Sequence, residues 1–461
     1  MIFAVASSVL SAKVLYCTGV SRSALRAASG YHHVSILVPK MECELLMRQR
    51  DEGGMEFQGL VLLAEPYVSN LLQDTIIAMN LAVVEVEPLP LLADVRQRLI
   101  DHETATRLIN TAQTRVFMNS ENALAFYLKA LQDDGRKQAI ALLKDKCQFR
   151  QLLSEIFPEL AYREVRLSEL PSINPDELRF PLVLKPSIGF FSAGVAIVPT
   201  QDEWENAVEK LTVELGDESF NYPASVLNRE KILIEDYIAG PEYAMDAFFD
   251  ADGLPVLLNV MYHVFPSEDD TRDILYLTHR ELIESLHPEI MDLLNQLSQK
   301  LELCNFPFHL EVRRDNSSGR LVPIEVNPYR FAGWGTTDLA TFAHGIDVYR
   351  SYFEGTSPDW DSTANATSTT AFVILHPPLG TQFPENWTVD PTALRQLLGD
   401  VLELRLVDHV KWGILGIAFI RYRDQEQAEQ AVHLDLRPLL PDSTVTWAGV
   451  AEMADRVRID N

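Results

Sequence analysis

Two apolar, strand-like runs, Phe308-His309-Leu310-Glu311-Val312 and Leu321-Val322-Pro323-Ile324-Glu325-Val326-Asn327-Pro328, each carry a carboxylate in their interior. A charge withdrawn from water without a partner is costly, so both glutamates require one. Between the runs, Asn316-Ser317-Ser318-Gly319 has the composition of a hairpin turn. A hairpin of residues 308–313 on 320–326 sets Glu311 beside Glu325, and the period of two puts Asn327 on the Glu325 face. Two carboxylates and an amide oxygen converging on one point suit a hard cation, Mg²⁺ or Mn²⁺, shared with phosphate oxygens. The polar edge of a sheet would contain the same residues, so the pattern needs support from elsewhere in the chain.

That support lies upstream. Residues 180–185 form an apolar strand that delivers Lys185 to a loop containing Ser187, Gly189, Ser192 and Gly194. A lysine followed by glycines and serines suits a polyphosphate, because small residues let backbone N–H groups approach its oxygens. No Gly-Lys-Ser/Thr ends the loop, so it is not a Walker A loop, and an ordinary hairpin with a strand-end lysine reads the same way. Residues 231–237 and 242–249 read as strands joined through Gly240-Pro241, with Glu235, Asp236 and Glu242 around the turn. The backbone of 236–238 is placed to read a purine edge and the carboxylates to hold an amino group and a ribose. The rival reading is a hairpin with solvated acids.

The rest of the chain sets boundaries. Its 461 residues point to several domains. With 39 Lys plus Arg against 66 Asp plus Glu, the net charge is −27, which excludes non-specific binding to nucleic acid or to an anionic membrane. Cys17, Cys43, Cys147 and Cys304 form no C-x-x-C pair, which fits the reducing cytoplasm. The small, apolar N-terminus lacks a basic flank, and Lys13 interrupts it, so residues 2–10 read as a first strand rather than a signal peptide. Runs at 33–39, 59–64 and 81–86 make residues 1–118 a small parallel α/β domain, without a glycine-rich dinucleotide loop. Helices are expected from Glu121 to Leu131 behind a Ser120 cap, at 137–156 before Pro158, at 204–215 behind a capping box at 200–203, and at 288–303. Residues 355–370 read as a linker, and 371–461 as a small α+β unit with strands at 371–376, 401–407 and 413–421.

Taken in order and at these intervals, the segments resemble the ATP-grasp superfamily, and within it the carboxylate–amine ligases. The resemblance spans about residues 140–350. It implies an ATP-grasp fold over 119–354, with a helical stretch at 119–160 and ATP-binding lobes at 161–354, between the N-terminal parallel (pre-ATP-grasp) domain and the C-terminal α+β domain. It implies ATP contacts at Lys146 (with Lys144 as the alternative), Lys185, Ser187, Gly189, Ser192, Gly194, Glu235, Ile238 and Glu242. Metal ligands would be Glu311, Glu325 and Asn327. These ligases often carry an arginine two residues after the metal-binding asparagine; here Tyr329 stands there and Arg330 follows. Arg330-Phe331-Ala332-Gly333 resembles the string in ligases that join amino acids into dipeptides, so the catalytic arginine is assigned to Arg330, with Arg313 as rival. Substrate contacts are assigned to His263, His309 and Gly333, in a polar, aromatic region that begins at Met261. For Gly335-Thr336-Thr337-Asp338 the alternatives are a carboxylate site and a helix cap.

The activity implied is attack of a carboxylate on the γ-phosphate of ATP, followed by displacement of phosphate by an amine. The partners are then small-molecule acids and amines, and a homodimer is compatible. Two other readings share the same residues: a biotin-carboxylase-like enzyme that activates bicarbonate, and a non-catalytic ATP-binding regulator.

Overall fold

The computed structural model describes residues 49–50, 56–189, 194–216, 228–267, 272–360, 368–378, 381, 383 and 387–440. The strands expected at 2–10 and 33–39, the central part of the 355–370 linker, and Ser192 lie outside these residues.

The first unit is a parallel sheet in the order β2-β1-β3, made of Leu60–Leu63 (β1), Ala82–Glu85 (β2) and Val116–Met118 (β3). Helices Asn70–Ala78 (α1) and His102–Ile109 (α2) connect the strands. Their starts are fixed by caps: the Ser69 hydroxyl accepts from Leu72 N and the Asp101 carboxylate from Thr104 N. The strands are apolar throughout because both faces are covered: Leu60 and Leu62 pack into one core, Val61 and Leu63 into another.

After a single 3-10 turn at Glu121–Ala123 come Leu124–Ala130 (α3), Asp134–Lys144 (α4) and Lys146–Leu153 (α5). The one helix expected over 137–156 is thus two, and it ends before Pro158. The break is at Asp145, which leaves helical backbone and accepts from Cys147 N (2.9 Å) and Gln148 N (3.2 Å), while Lys146 N donates to Ser187 O at 2.6 Å. The break sets Lys146 at the first position of a helix docked on the Ser187 loop.

Tyr162–Arg166 (β4), Leu182–Pro186 (β5), Ala196–Val198 (β6) and Lys231–Asp236 (β7) form an antiparallel sheet, order β4-β7-β5-β6. Helix Trp204–Gly216 (α6) lays Trp204, Val208, Leu211 and Leu215 on it. The capping box expected at its start is not formed: the Thr200 hydroxyl donates to the Glu203 carboxylate instead of accepting a backbone N–H, and a 3-10 turn intervenes.

The third sheet has eight antiparallel strands. Its strands in chain order are Glu242–Phe249 (β8), Pro255–Val264 (β9), Leu275–Thr278 (β10), Phe306–Arg314 (β11), Leu321–Pro328 (β12), Thr369–Leu375 (β13), Val401–Leu406 (β14) and Gly416–Tyr422 (β15). Across the sheet the order is β12-β11-β8-β9-β10-β13-β15-β14. The hairpin reading of 231–249 is therefore overturned: β7 and β8 belong to different sheets, and Gly240-Pro241 is the crossover between them. Gly240 has φ +143, and a Cβ there would lie 1.9 Å from Arg314 O, so only glycine fits.

Helix Arg280–Leu301 (α7) starts eight residues earlier than expected and contains Pro288. Its apolar stripe, Leu282, Leu286, Ile290, Leu293, Leu297, runs unbroken past the proline, and that packing outweighs the lost hydrogen bond. The C-terminal strands pair directly onto β10 through β13 and so extend the central sheet. The parallel sheet is fastened to the end of β12, where Met118 N donates to Tyr329 O at 2.8 Å.

Candidate active site

The sheet register builds the site. Successive side chains of a strand alternate faces, so Glu242, Ala244 and Asp246 share one face of β8. Opposite them on β11 stand Arg313, Glu311 and His309; opposite them on β9 stand His263, Met261 and Asn259. On β12, Glu325 faces Glu311 and Asn327 faces His309. The face therefore carries three rows: Arg313–Glu242–His263, Glu325–Glu311–Ala244–Met261, and Asn327–His309–Asp246–Asn259.

The middle row holds the two glutamates of the hairpin, side by side as expected. Burial pushes the Glu311 carboxyl up, and the neighbouring Glu325 pushes it further, against the hydrogen bond from His309. Partial burial pushes Glu325 up as well, yet Lys146, 2.9 Å away, with Lys144 beyond, holds it down to about 2. Lys144 Nζ lies 3.4 Å from Asn327 Oδ1 and 2.5 Å from Glu121 Oε1. Among the described residues no group of three or more His, Cys, Asp or Glu is set to hold a metal ion. The expected donors Glu311, Glu325 and Asn327 amount to two carboxylates and one amide oxygen, hard oxygen donors of the kind that suits Mg²⁺ or Mn²⁺.

The four-stranded sheet contributes the second lysine. Lys185, on β5, forms an ion pair with Glu235 Oε1, on β7. The other Glu235 oxygen accepts from Arg150 Nε (2.7 Å) and lies 2.6 Å from Nη2, so this acid is fully engaged by two cations. Arg150 Nη1 also donates to Pro323 O on β12 at 3.0 Å. Burial, with Arg150 and Lys146 nearby, lowers the Lys185 pKa, whereas Lys146, despite burial, is raised by Glu325. Lys146 Nζ also reaches Gly189 O at 3.5 Å. Ser187 is fully buried with its hydroxyl unpartnered. Gly194 has φ +71 and packs against Pro186 and Leu215, leaving no room for a side chain.

At the upper row, Glu242 Oε1 meets His263 Nδ1 at 2.8 Å and Oε2 accepts from Arg313 Nε at 2.9 Å. Arg313 also reaches Ile238 O at 3.4 Å. It thus sits at the inter-sheet crossover, away from Glu325. His263 is stacked between Phe265 and Tyr276, and its Nε2 is 3.5 Å from Asp273. In the lower row, His309 Nδ1 is 2.8 Å from Asp246 Oδ1, which also accepts from Ala332 N; despite burial, Asp246 and Glu311 lift this imidazole to about 9. Each histidine has an acid within 3.6 Å of both ring nitrogens, although His263 Nε2 makes no hydrogen bond.

Tyr329 takes φ +61 and is fully buried against Tyr127 and Phe306. That turn sends Arg330 back to the site: its Nη2 is 3.8 Å from Glu121 Oε2, on the acid that binds Lys144. Gly333 lies beside Arg330, 3.9 Å from where a Cβ would stand to Nη1. The cap reading of 335–338 fails: Asp338 makes no side-chain cap bond and instead accepts from Arg405 Nη1 (2.7 Å) and the Tyr349 hydroxyl (2.9 Å).

Sequence reasoning missed Arg150, Glu121 and Asp246. Arg150 had a usable signal, because it lies four residues after Lys146 and so one turn along the same helix face. Glu121 and Asp246 had none, since only the tertiary register brings them to the site.

Comparison with known proteins agrees with this architecture. The ATP-grasp domain family matches residues 178–338. An L-amino acid ligase from Bacillus licheniformis superposes with a TM-score of 0.58 at 18% identity, over 84% of this chain and 96% of that one. An N5-carboxyaminoimidazole ribonucleotide synthetase from Thermotoga maritima gives 0.54 at 14% identity, over 81% and 96%. A biotin carboxylase from Campylobacter jejuni gives 0.50 at 12% identity, over 80% and 88%. At these identities the likeness is one of fold. No curated protein sequence matches. Among the described residues no helix is long and apolar enough to cross a membrane. Residues 178–338 thus match the ATP-grasp domain family, and the chain shares the fold of these solved structures.

Proposed function

We propose that the chain is an ATP-dependent carboxylate–amine ligase that forms ADP and phosphate with Mg²⁺ or Mn²⁺ and acts on amino-acid-type substrates. The observation that carries this reading is the pairing of Lys146 with Glu325, which stands beside Glu311 and Asn327 on the central sheet, with Lys185 of a different element close enough to act on the Glu325 charge. The lysines take the phosphates, and Ser187, Gly189, Ser192 and Gly194 supply the loop that covers them. Ile238 presents backbone to the base, while Glu235 and Glu242 hold their cationic partners at its edges. Glu311, Glu325 and Asn327 would hold the cation, which neutralises phosphate charge when bound.

A substrate carboxylate attacks the γ-phosphorus, the bond to ADP breaks, and an acyl phosphate results. The amine then adds to the acyl carbon and phosphate leaves, giving an amide. Arg330 stabilises charge on the oxygens of both intermediates. We assign His263, His309 and Gly333 to the acceptor. Free Cys147 and Cys304 accord with a reducing, cytoplasmic setting.

The test is a phosphate-release screen of acid and amine pairs with Mg²⁺ and ATP, with products read by mass spectrometry. An amide product with stoichiometric ADP, lost in Glu325→Ala, is the expected result. Release driven by biotin and bicarbonate, with no amino acid pair active, would move the assignment to a biotin-carboxylase-like enzyme. Silence across the panel with ATP still bound would leave a regulator.

A further inference from the structure

Lys146 and Lys185 are not equivalent. Lys146 has a carboxylate to itself, Glu325. Lys185 shares Glu235 with Arg150, so one buried negative charge answers two buried positive ones. Arg150 takes Glu235 Oε2 with two nitrogens and leaves Lys185 only Oε1. Its third nitrogen bonds Pro323 O, two residues before Glu325 on β12. Arg150 itself rides on α5, one turn beyond Lys146. A single side chain thereby ties β7, α5 and β12, which are the elements carrying Glu235, Lys146 and Glu325.

We propose that Arg150 is a positioning residue of the nucleotide site: by sharing Glu235 and bonding Pro323 O, it weakens the hold of Glu235 on Lys185, so that Lys185 can exchange onto a phosphate oxygen, and it fixes Lys185 relative to the metal-binding strand. Without Arg150, Lys185 and Glu235 close into a self-sufficient neutral pair, and an incoming polyphosphate must break it. With Arg150 present the surplus positive charge is buried, where it attracts an anion strongly. The lowered pKa of Lys185, due to burial and then to Arg150 and Lys146 against the pull of Glu235, agrees with this sharing. The inference rests on the nucleotide reading of Lys185 given above.

The experiment compares wild type with R150M, R150K and K185M, each checked for folding by circular dichroism. Mg-ATP affinity is measured by calorimetry, and acetylation of Lys185 by acetic anhydride is followed by mass spectrometry. R150M should bind Mg-ATP about tenfold more weakly, and Lys185, now held by Glu235 alone, should acetylate about tenfold more slowly. R150K keeps the charge but cannot serve both Glu235 and Pro323 O, so it should fall between the two. If R150M fails to fold, R150K alone decides. Unchanged affinity and unchanged Lys185 acetylation in the folded variants, with K185M weakened, would overturn the role of Arg150 and leave the nucleotide reading standing. Unchanged affinity in K185M would overturn both.

Discussion

Replacing Arg405 by methionine tests how the C-terminal strands are held to the site. Arg405, on β14, is buried with Nη1 2.7 Å from Asp338 Oδ2 and its guanidinium 4.8 Å over the Phe419 ring. Asp338 is fully buried; its other oxygen accepts from the Tyr349 hydroxyl at 2.9 Å, and Ser69 also bonds the carboxylate. Removing the arginine strands a carboxylate in the core, which costs about 3–5 kcal/mol. The lost cation–π contact adds about 0.5–2 kcal/mol, part of it already counted in that figure. We expect R405M to lose about 4 kcal/mol, a large share of the ~5–15 kcal/mol that folded proteins possess. The double variant D338N/R405M removes the stranded charge and should recover at least about 2 kcal/mol of that loss. Urea unfolding at pH 7, followed by circular dichroism and by the fluorescence of the edge-packed Trp334 and Trp412, gives both values. A double variant no more stable than R405M would refute the reasoning, because the cost would then come from packing and not from an unpaired charge.

His344 is buried and neutral, its pKa lowered to about 4 first by burial and then by nearby His279. Its folded pKa lies below the unfolded ~6.5, so its contribution is present above pH 6.5 and lost as pH falls toward 4, by up to about 3 kcal/mol. H344Q should flatten that part of the stability–pH curve relative to wild type; parallel curves would reject it. G240A forces a Cβ to within 1.9 Å of Arg314 O, so the crossover must shift; we expect about 2 kcal/mol of destabilisation in urea, and a loss below 0.5 kcal/mol would contradict the fit. Asp315 accepts from Ser317 N and Ser318 N and from both hydroxyls, which hold its carboxyl down to about 2. D315A should loosen the β11–β12 turn, seen as faster amide exchange at residue 315 and Gly319, whose N–H groups bond across it, with Glu311 and Glu325 still side by side.

What the sequence disclosed follows from the range of the forces involved. Adjacent strands are a local matter, so the pairing of Glu311 with Glu325 was readable from two apolar runs and a turn. The break at Asp145 was not, because helical periodicity continues on both sides of it and only the contact of Lys146 N with Ser187 O requires it. The same holds for Gly240-Pro241: a turn between two strand-like runs reads as a hairpin, and sending the strands to different sheets is a tertiary decision. Pro288 misled in the other direction, since a start signal for a helix lay inside one whose buried stripe overrides it. Arg330 was readable only by displacement, from a tyrosine standing where the pattern has arginine. The left-handed turn at Tyr329 gives the physical reason, burying the ring and returning the next side chain to Glu121.

An acidic chain with a net charge of −27 must still receive a polyanion, and the site resolves that conflict locally. Lys144, Lys146, Lys185, Arg150 and Arg330 face Glu121, Glu235, Glu325 and Glu311. Five cations there answer four acids, so the local balance does not follow the net charge of the chain. The surplus lies where the sheets meet, on the Lys185 side, while Glu311 and Glu325 lie on the other. A triphosphate entering this gap meets positive charge from one sheet and, from the other, acids that accept it only together with a divalent cation. On the proposed function nucleotide and cation bind as one species, so removing the acids should weaken ATP binding in the presence of Mg²⁺ while strengthening it in its absence. Calorimetry on Glu325→Gln with and without Mg²⁺ measures that reversal, and a variant that lowered both affinities equally would place Glu325 in the scaffold of Lys146 and not in the cation site.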